Sequence, residues 1–372
     1  MHRRGFLQAG ALLASAGLAG CTGVFETQSA WRDPPIVEDR PEAAYIPASI
    51  EEMGMYGVRE VEEYAVALSY TYPHRFWTIT GTETNMVDIA DDDSLHLMAS
   101  VWETESETVV PADVHMTVEG EGETPYARQL WPMLSQRMGF HYGDNLAMPG
   151  EGEYTATLRI NPADARTAGE FEGLFEEPRT VEFDFAFDTD TVYDLGFDLI
   201  DEDERGRRGE LDLMEHDEMV HHGGEGGDHD DHDDHDHGDH GHMPHPTVPS
   251  AEELPGEVVG TDRSGDAEVV VAALEEERFD GEYLAVSPRT PYNSVMLPLM
   301  ALSATVTRDG ETVFEDSLAG TLDPELGFHY GAAIGLEEGD ELRVEVESVP
   351  QISRHDGYET AFMEMPALEF EY

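Results

Sequence analysis

The sequence predicts an all-β protein of two immunoglobulin-like antiparallel β-sandwich domains, joined by a disordered linker rich in His and Asp. Short alternating or aromatic-rich runs recur between clusters of Gly, Pro and Asp, at the spacing of antiparallel strands. No long segment in the first half has the 3.6-residue period of an amphipathic helix. These runs form two blocks, at 59–190 and 266–372, and each is about the size of an immunoglobulin-like sandwich.

The two blocks share landmarks at one constant offset. The pentapeptide GFHYG occurs at 139–143 and again at 327–331, so that its two histidines lie 188 residues apart. The same offset relates YTATLRINP to LRVEVESVP, and it relates Pro178 to Pro366. Several landmarks at one offset are typical of an internal repeat, so we expect the second domain to be a copy of the first.

Residues 191–265 differ in composition from both blocks. Ten of the 17 histidines fall within 216–245, where they alternate with Asp and Gly and almost no apolar residue is available for a core. This composition predicts a disordered linker. Its imidazoles and carboxylates could also collect zinc, nickel or copper loosely, whereas the simpler interpretation is a solvated spacer. The candidate collecting residues are His221, His222, His229, His232, His235, His237, His240 and His242.

The amino terminus carries an export signal. Residues 1–20 contain a twin arginine followed by a short apolar run, which is typical of a twin-arginine signal peptide. The run ends in LAGC, so we expect cleavage before Cys21, attachment of lipid to its sulfur, and anchoring to the outer face of the cell membrane. The Pro-rich stretch 21–58 then reads as a tether. Cys21 is the only cysteine, which excludes an intrachain disulfide.

Charge and missing motifs exclude several classes of function. The formal net charge is −61 and the chain contains no lysine, as expected of a protein from a very salty environment. Such a surface repels nucleic acid and anionic lipid, so the expected contact with membrane is through the lipid anchor alone. We find no G-x-S-x-G, P-loop, dinucleotide fingerprint or H-E-x-x-H, and therefore expect no enzyme.

The stretch LWPMLSQRMGFHYGDNLAMPGEGEYTATLRI resembles the bacterial iron-transport periplasmic metal-binding family. The similarity consists of a Pro-Met pair, a polar loop, a Gly-x-His-Tyr-Gly turn and a Gly-x-Tyr that opens the next strand. Family members are exported β-sandwich proteins that serve ferrous-iron uptake and also bind copper or zinc. The resemblance implies that Met133 and His141 are metal ligands. It also assigns a ligand to the His of a downstream Arg-His stretch, which is His355 here.

Other parts of the family pattern are missing. The position 188 residues before His355 is Thr167, and the second GFHYG has Pro324 without a methionine beside it. The family's early Met-His-x-Glu motif has no clear counterpart in either half. His74, in YTYPHRFW, is one candidate substitute. A second site formed by His329 and His355 remains an open alternative.

Two functions follow as hypotheses. The first is a lipid-anchored protein that captures iron(II) or copper, with zinc as a further candidate, and supplies a membrane metal permease. Its two domains could dock as a pseudo-dimer that shares ligands, or the chain could form a homodimer. The second is a surface scaffold or adhesion module without metal, in which GFHYG is a structural corner, since glycines favour turns and methionines fill cores.

Overall fold

The computed structural model describes residues 34–120, 123–215, 220–221 and 243–372. The predicted signal peptide, Cys21 and seven of the eight candidate collecting histidines lie outside the described residues; of His221 only the backbone is described. The described chain is almost entirely β-structure, in agreement with the predicted fold class. No helix among the described residues is long and apolar enough to cross a membrane.

The first domain is a sandwich of two sheets. Its elements are β1 (Ser49–Glu51), β2 (Gly54–Val61), β3 (Tyr64–Thr71), β4 (Phe76–Thr80), β5 (Glu83–Val87), β6 (Leu95–Glu103), β7 (Ala112–Gly120), β8 (Glu123–Gln129), β9 (Trp131–Ser135), β10 (Gly139–Leu146), β11 (Gly152–Ala163), β12 (Arg166–Thr167), β13 (Arg179–Phe187), helix α1 (Thr189–Tyr193), β14 (Phe197–Leu199) and β15 (Val220–His221). The larger sheet has the order β15-β2-β3-β6-β10-β9-β23-β4-β5, and the smaller sheet has the order β13-β11-β7-β8. The strand β23 in the larger sheet is Ser353–Arg354, from the far end of the chain.

The larger sheet is a middle layer. Strand β13 of the smaller sheet alternates buried and exposed residues, as a sheet with one solvated face does. Strands β3 and β6, in contrast, are buried along their whole length. One face of the larger sheet packs on the smaller sheet, and segments 43–53 and 196–214 lie over the other. Gln136 holds both segments in place, since its Nε2 donates to Tyr45 O at 2.8 Å and its Oε1 accepts from Leu211 N at 2.9 Å.

The second domain repeats the strand order of the first, but one long strand replaces two shorter ones. Its elements are β16 (Glu257–Ser264), β17 (Ala267–Glu276), β18 (Gly281–Arg289), β19 (Ala301–Arg308), β20 (Glu311–Asp323), β21 (Gly327–Ala332), β22 (Glu341–Ser348), β23 (Ser353–Arg354) and β24 (Leu368–Glu371). Apart from β23, these strands follow the order β16-β17-β18-β21-β20-β19-β22-β24 in one sheet. Strand β20 spans the positions that β8 and β9 occupy in the first domain, and the β4–β5 hairpin has no counterpart among the described strands of the second.

The domains exchange short strands. From the second domain, β23 pairs in parallel with β9, where Ser353 lies opposite Met133. From the first domain, β12 pairs in parallel with β20, where Arg166 lies opposite Thr321. Each domain therefore adds a strand to the sheet of the other, at equivalent positions. The two copies are joined through their backbones as a pseudo-symmetric pair.

The predicted linker and tether include ordered strands. Within 191–265, β14 pairs with β1 and β16 pairs with β17, so the described parts of this range belong to the two domains. Within 21–58, β1 and the first part of β2 are strands. The prediction of a linker over the whole of 191–265 is therefore wrong in extent. Most side chains of β16 are exposed or half-buried and several are polar, so its composition resembles that of a linker.

Candidate metal centre

The first GFHYG forms the start of β10 and directs its histidine away from the core. Gly139 has φ +69°, a backbone conformation that favours glycine, and it follows the β9–β10 turn. Alternation along the strand then places Phe140 and Tyr142 together on the face that packs in the core, with ring centroids 5.4 Å apart. His141 lies on the opposite face, directly across from Met133 on β9.

Two more histidines are held beside this pair by Asn145. His96 lies on β6 opposite Asn145, and its Nδ1 donates to Asn145 Oδ1 at 2.8 Å. The amide of Asn145 also donates to the backbone oxygen of His74 at 2.9 Å. The His74 ring has a further partner, because its Nδ1 lies 3.0 Å from Oε2 of Glu51. The centroids of the His74 and His96 rings are 4.0 Å apart.

The fourth histidine comes from the second domain. The backbone N–H of His355 donates to Leu134 O at 3.1 Å, which extends the β23–β9 pairing to the site. Its ring centroid is 4.5 Å from that of His74 and 5.2 Å from that of His141, and its Nε2 is 3.2 Å from Met133 Sδ. Arg354, fully buried, donates to the carbonyl oxygens of residues 350, 352, 358 and 361 and so fixes the loop that follows.

The tautomers leave one free lone pair on each of three rings. A carbonyl or carboxylate oxygen accepts only, so Nδ1 carries the hydrogen in His74, His96 and His141; the acceptor for His141 is Gly139 O at 3.1 Å. Their Nε2 atoms are buried and have no hydrogen-bond partner in the described part of the chain. Buried polar atoms are nearly always paired, so unpaired nitrogens at one point indicate a ligand.

Burial keeps these imidazoles neutral. It lowers the pKa of His141 to about 4, and it lowers the pKa of His96 and of His355 well below the usual value, with neighbouring histidines adding to the effect. Neutral imidazole is the form that binds metal ions. The candidate ligand atoms of His74, His96 and His355 lie within 4.8 Å of one another. With Met133 and His141 they form a set of four imidazoles and one thioether that fits a transition-metal ion.

The closing glycine of GFHYG makes room for this set. A Cβ at Gly143 would lie 2.5 Å from His96 Nε2 and 3.3 Å from Met133 Sδ. Both are candidate ligand atoms, and a side chain here would push them apart. The first glycine of the pentapeptide is therefore required by backbone conformation, and the last by the space that the centre occupies.

Comparison with known proteins identifies the first domain. Residues 59–189 match the model of the family described as Fe2+ transport protein. The first domain is therefore similar to the Fe2+ transport protein family over these residues. Residues 252–371 match a second model, described as Domain of unknown function (DUF7350). No curated protein matches the sequence.

Solved structures of FetP from uropathogenic Escherichia coli strain F11 are similar to part of the chain. A copper-bound variant is 21% identical, with 37% of this chain and 94% of that chain covered and a TM-score of 0.29. The as-isolated protein is 19% identical, with 37% and 95% covered and a TM-score of 0.27.

The second GFHYG, in contrast, has no comparable ligand set around it in the described part of the chain. His329 is as buried as His141, and its Nδ1 likewise lies near the oxygen of the first glycine, at 3.2 Å. Its Nε2, however, accepts a hydrogen bond from the Tyr283 hydroxyl at 3.1 Å. Thr321 lies opposite His329 as Met133 lies opposite His141, and the strand register puts Tyr283 in the place of His96.

The proposed pairing of His329 with His355 is therefore wrong. The exchanged strand β23 carries His355 into the first domain, where it contacts Met133 and the rings of His74, His96 and His141. In the second domain, the backbone bond to Leu322 that corresponds to that of His355 comes from Ala168.

Sequence reasoning missed His96. It lies in the run Leu95-His96-Leu97-Met98, which matches the Met-His-x-Glu pattern only at its histidine. A search for the histidine alone, on a strand with buried neighbours, would have identified it. Glu51 and Asn145 left no such signal, because their role depends on contacts between distant segments.

Proposed function

We propose that this protein is an exported carrier that captures one copper or iron(II) ion at the centre formed by His74, His96, Met133, His141 and His355. The observation that carries the proposal is the set of three buried Nε2 lone pairs that have no partner among the described residues, next to a thioether. A surface scaffold would have no use for unpaired nitrogens in this arrangement, since each costs free energy when it is left unsatisfied.

The donor atoms favour copper over iron(II). Imidazole suits copper, zinc and iron, whereas a thioether favours soft ions such as copper(I). The nearest carboxylate described at the cluster, Glu51, is engaged with Nδ1 of His74. It orients that ring, as outer partners of metal-binding histidines commonly do. We infer a binding role and not a catalytic one, because the chain offers ligands without an accompanying acid-base or nucleophile motif.

The test compares the two copies of one pentapeptide. His141→Gln removes a ligand, whereas His329→Gln changes a histidine of equal burial and similar Nδ1 contact in the second copy. Zinc(II) and copper(I) are titrated into each metal-free protein by calorimetry and competition with a chelator. We expect His141→Gln to weaken the tight site at least 100-fold and His329→Gln to leave it within about threefold. Equal effects of both substitutions contradict the proposal.

Three further parts of the proposal concern delivery. The twin-arginine signal and Cys21 support export and lipid anchoring, and mass spectrometry of the mature amino terminus tests both. His221, near the start of the His-rich segment 216–245 in sequence, lies in β15, whose backbone pairs with Gly54 and Met55 of the first domain. We infer that this segment raises the local metal concentration and that a membrane permease receives the ion. Deletion of 222–242 should then slow metal loading from dilute solution without changing the affinity of the centre.

A further inference from the structure

A cavity lined by methionines adjoins the histidine cluster. Its volume is about 100 Å³, and its wall includes Met53, Met98, Met138 and Met214. All four side chains are buried, with at most 9% exposed. They come from four separate parts of the chain: the residue before β2, strand β6, the β9–β10 turn and the segment that ends at 215. The fold thus gathers four thioethers from distant positions around one space.

The cavity and the metal centre share a wall. His74 and His355 line the cavity as well as the centre. Met98 lies two residues after His96 on the same face of β6, opposite Gly143, the glycine that makes room for the ligand atoms. A ligand in the cavity would therefore lie beside the histidine centre.

The four thioethers give part of the cavity wall soft donor atoms. A thioether is neutral and polarisable, and it selects copper(I) over oxygen-seeking ions such as iron(II). The wall has two carboxylates, Glu51 and Asp356, and Glu51 is already hydrogen-bonded to His74. It also has two guanidinium groups, and these are engaged elsewhere: Arg75 donates to the backbone oxygen of residue 34 and Arg137 to that of residue 212. Methionine also fills irregular gaps in protein cores, but these four methionines surround a gap that stays open. A volume of about 100 Å³ can hold an ion with one or two waters, since each water takes about 30 Å³.

We propose that this cavity is a second metal site, built from thioethers, that receives copper(I) and passes it to the histidine centre. The inference rests on the proposed function in that the centre must accept copper. It adds that copper(I) is the preferred ion and that this ion reaches the histidine centre from the side of the cavity. Met53, Met138 and Met214 belong to the cavity alone, whereas Met98 lies next to both sites.

The experiment separates the two sites by metal. The triple variant Met53→Leu, Met138→Leu, Met214→Leu keeps volume and removes three thioethers, and a volume-conserving exchange of this kind usually costs under about 1.5 kcal/mol at each position. A matched control carries Met116→Leu, Met148→Leu and Met300→Leu, which are not in the cavity wall. Copper(I) is added anaerobically against a colorimetric chelator, and zinc(II) reports the histidine centre independently.

We expect two copper(I) ions held against the chelator on the natural chain and on the control, and one on the triple variant, with zinc(II) affinity unchanged within about threefold in all three; the His-rich segment, which is the same in all three, binds too loosely to compete with the chelator. Two copper(I) ions on the triple variant, or one on the natural chain, overturn the inference. Failure of the proposed function looks different, because His141→Gln would then leave zinc(II) binding intact.

A second measurement needs no variant. Methionines labelled with ¹³C at the methyl group give one signal each, and copper(I) is diamagnetic. The second equivalent should shift the methyl signals of Met53, Met138 and Met214 and leave that of Met116, buried in the sandwich core, in place. Unshifted signals for all three cavity methionines contradict the inference.

Discussion

Replacement of Gly143 by alanine tests the metal centre through its geometry and not through a ligand. The new Cβ would lie 2.5 Å from Nε2 of His96, whereas non-bonded heavy atoms prefer about 3.5 to 4.0 Å. One of the two atoms must therefore move by about 1 Å. The His96 ring is fully buried and its Nδ1 is hydrogen-bonded to Asn145 at 2.8 Å, so it cannot retreat without loss of that bond.

The expected magnitude follows from this displacement. A metal site tolerates errors of about 0.2 Å in its ligand distances, and a shift of about 1 Å takes His96 out of range. We expect the affinity for zinc(II) or copper(I) to fall by about 10- to 100-fold, as when an outer partner of a ligand is lost. Overpacking should also lower the free energy of unfolding by about 1 to 3 kcal/mol.

Two glycines of the same chain provide controls. Gly331, the last glycine of the second GFHYG, would place its Cβ against the Tyr283 ring, so Gly331→Ala should destabilise the protein without changing metal affinity. Gly150→Ala meets no atom within 4 Å and should change neither. Calorimetric titration and urea unfolding measure both quantities. Metal affinity at the natural level in a folded Gly143→Ala protein refutes the geometric reasoning.

Three further predictions concern single residues and metal. His96→Gln should weaken zinc(II) binding as strongly as His141→Gln in the same titration, although sequence reasoning gave no indication of His96; unchanged binding would remove it from the ligand set. Asn145→Leu removes the acceptor that orients His96 and the donor to His74 O, and should lower metal affinity about 10- to 100-fold while both histidines remain. Burial lowers the pKa of His329 to about 4 from 6.5, so the unfolded chain binds a proton there that the folded chain excludes, and stability falls as the pH drops below 6.5. In the metal-free protein, the free energy of unfolding should therefore fall between pH 7.5 and 5.5 by about 1 kcal/mol more in the natural chain than in His329→Gln, and equal losses in urea titrations would exclude this contribution.

The sandwich fold and its duplication follow from the sequence because they depend on local pattern. Alternation along β13 and the constant offset between the two pentapeptides are visible in the letters, and the structure has the strands where the pattern predicts them. Strands with mostly exposed side chains, such as β16, carry no such pattern. Their place is decided by backbone pairing with a buried neighbour, which a composition argument cannot detect.

The metal centre was predictable only in part, for a related reason. Met133 and His141 face each other across one hairpin, so their spacing in sequence reflects their contact. His74 reaches the site through a hairpin insertion absent from the described second domain, and His355 reaches it through a strand exchanged between domains. Residues more than 200 positions apart in sequence have no characteristic spacing from which their contact could be predicted.

The two copies of GFHYG show what the pentapeptide contributes. In both, the first glycine has positive φ, at +69° and +65°, and the histidine Nδ1 lies 3.1 to 3.2 Å from that glycine's oxygen. This corner is therefore structural in each domain. The copies differ at Nε2, which has no partner among the described residues in His141 and is bonded to Tyr283 in His329. A metal-binding role depends on the residues that surround Nε2, and the second domain supplies one of them, His355, to the candidate centre in the first domain.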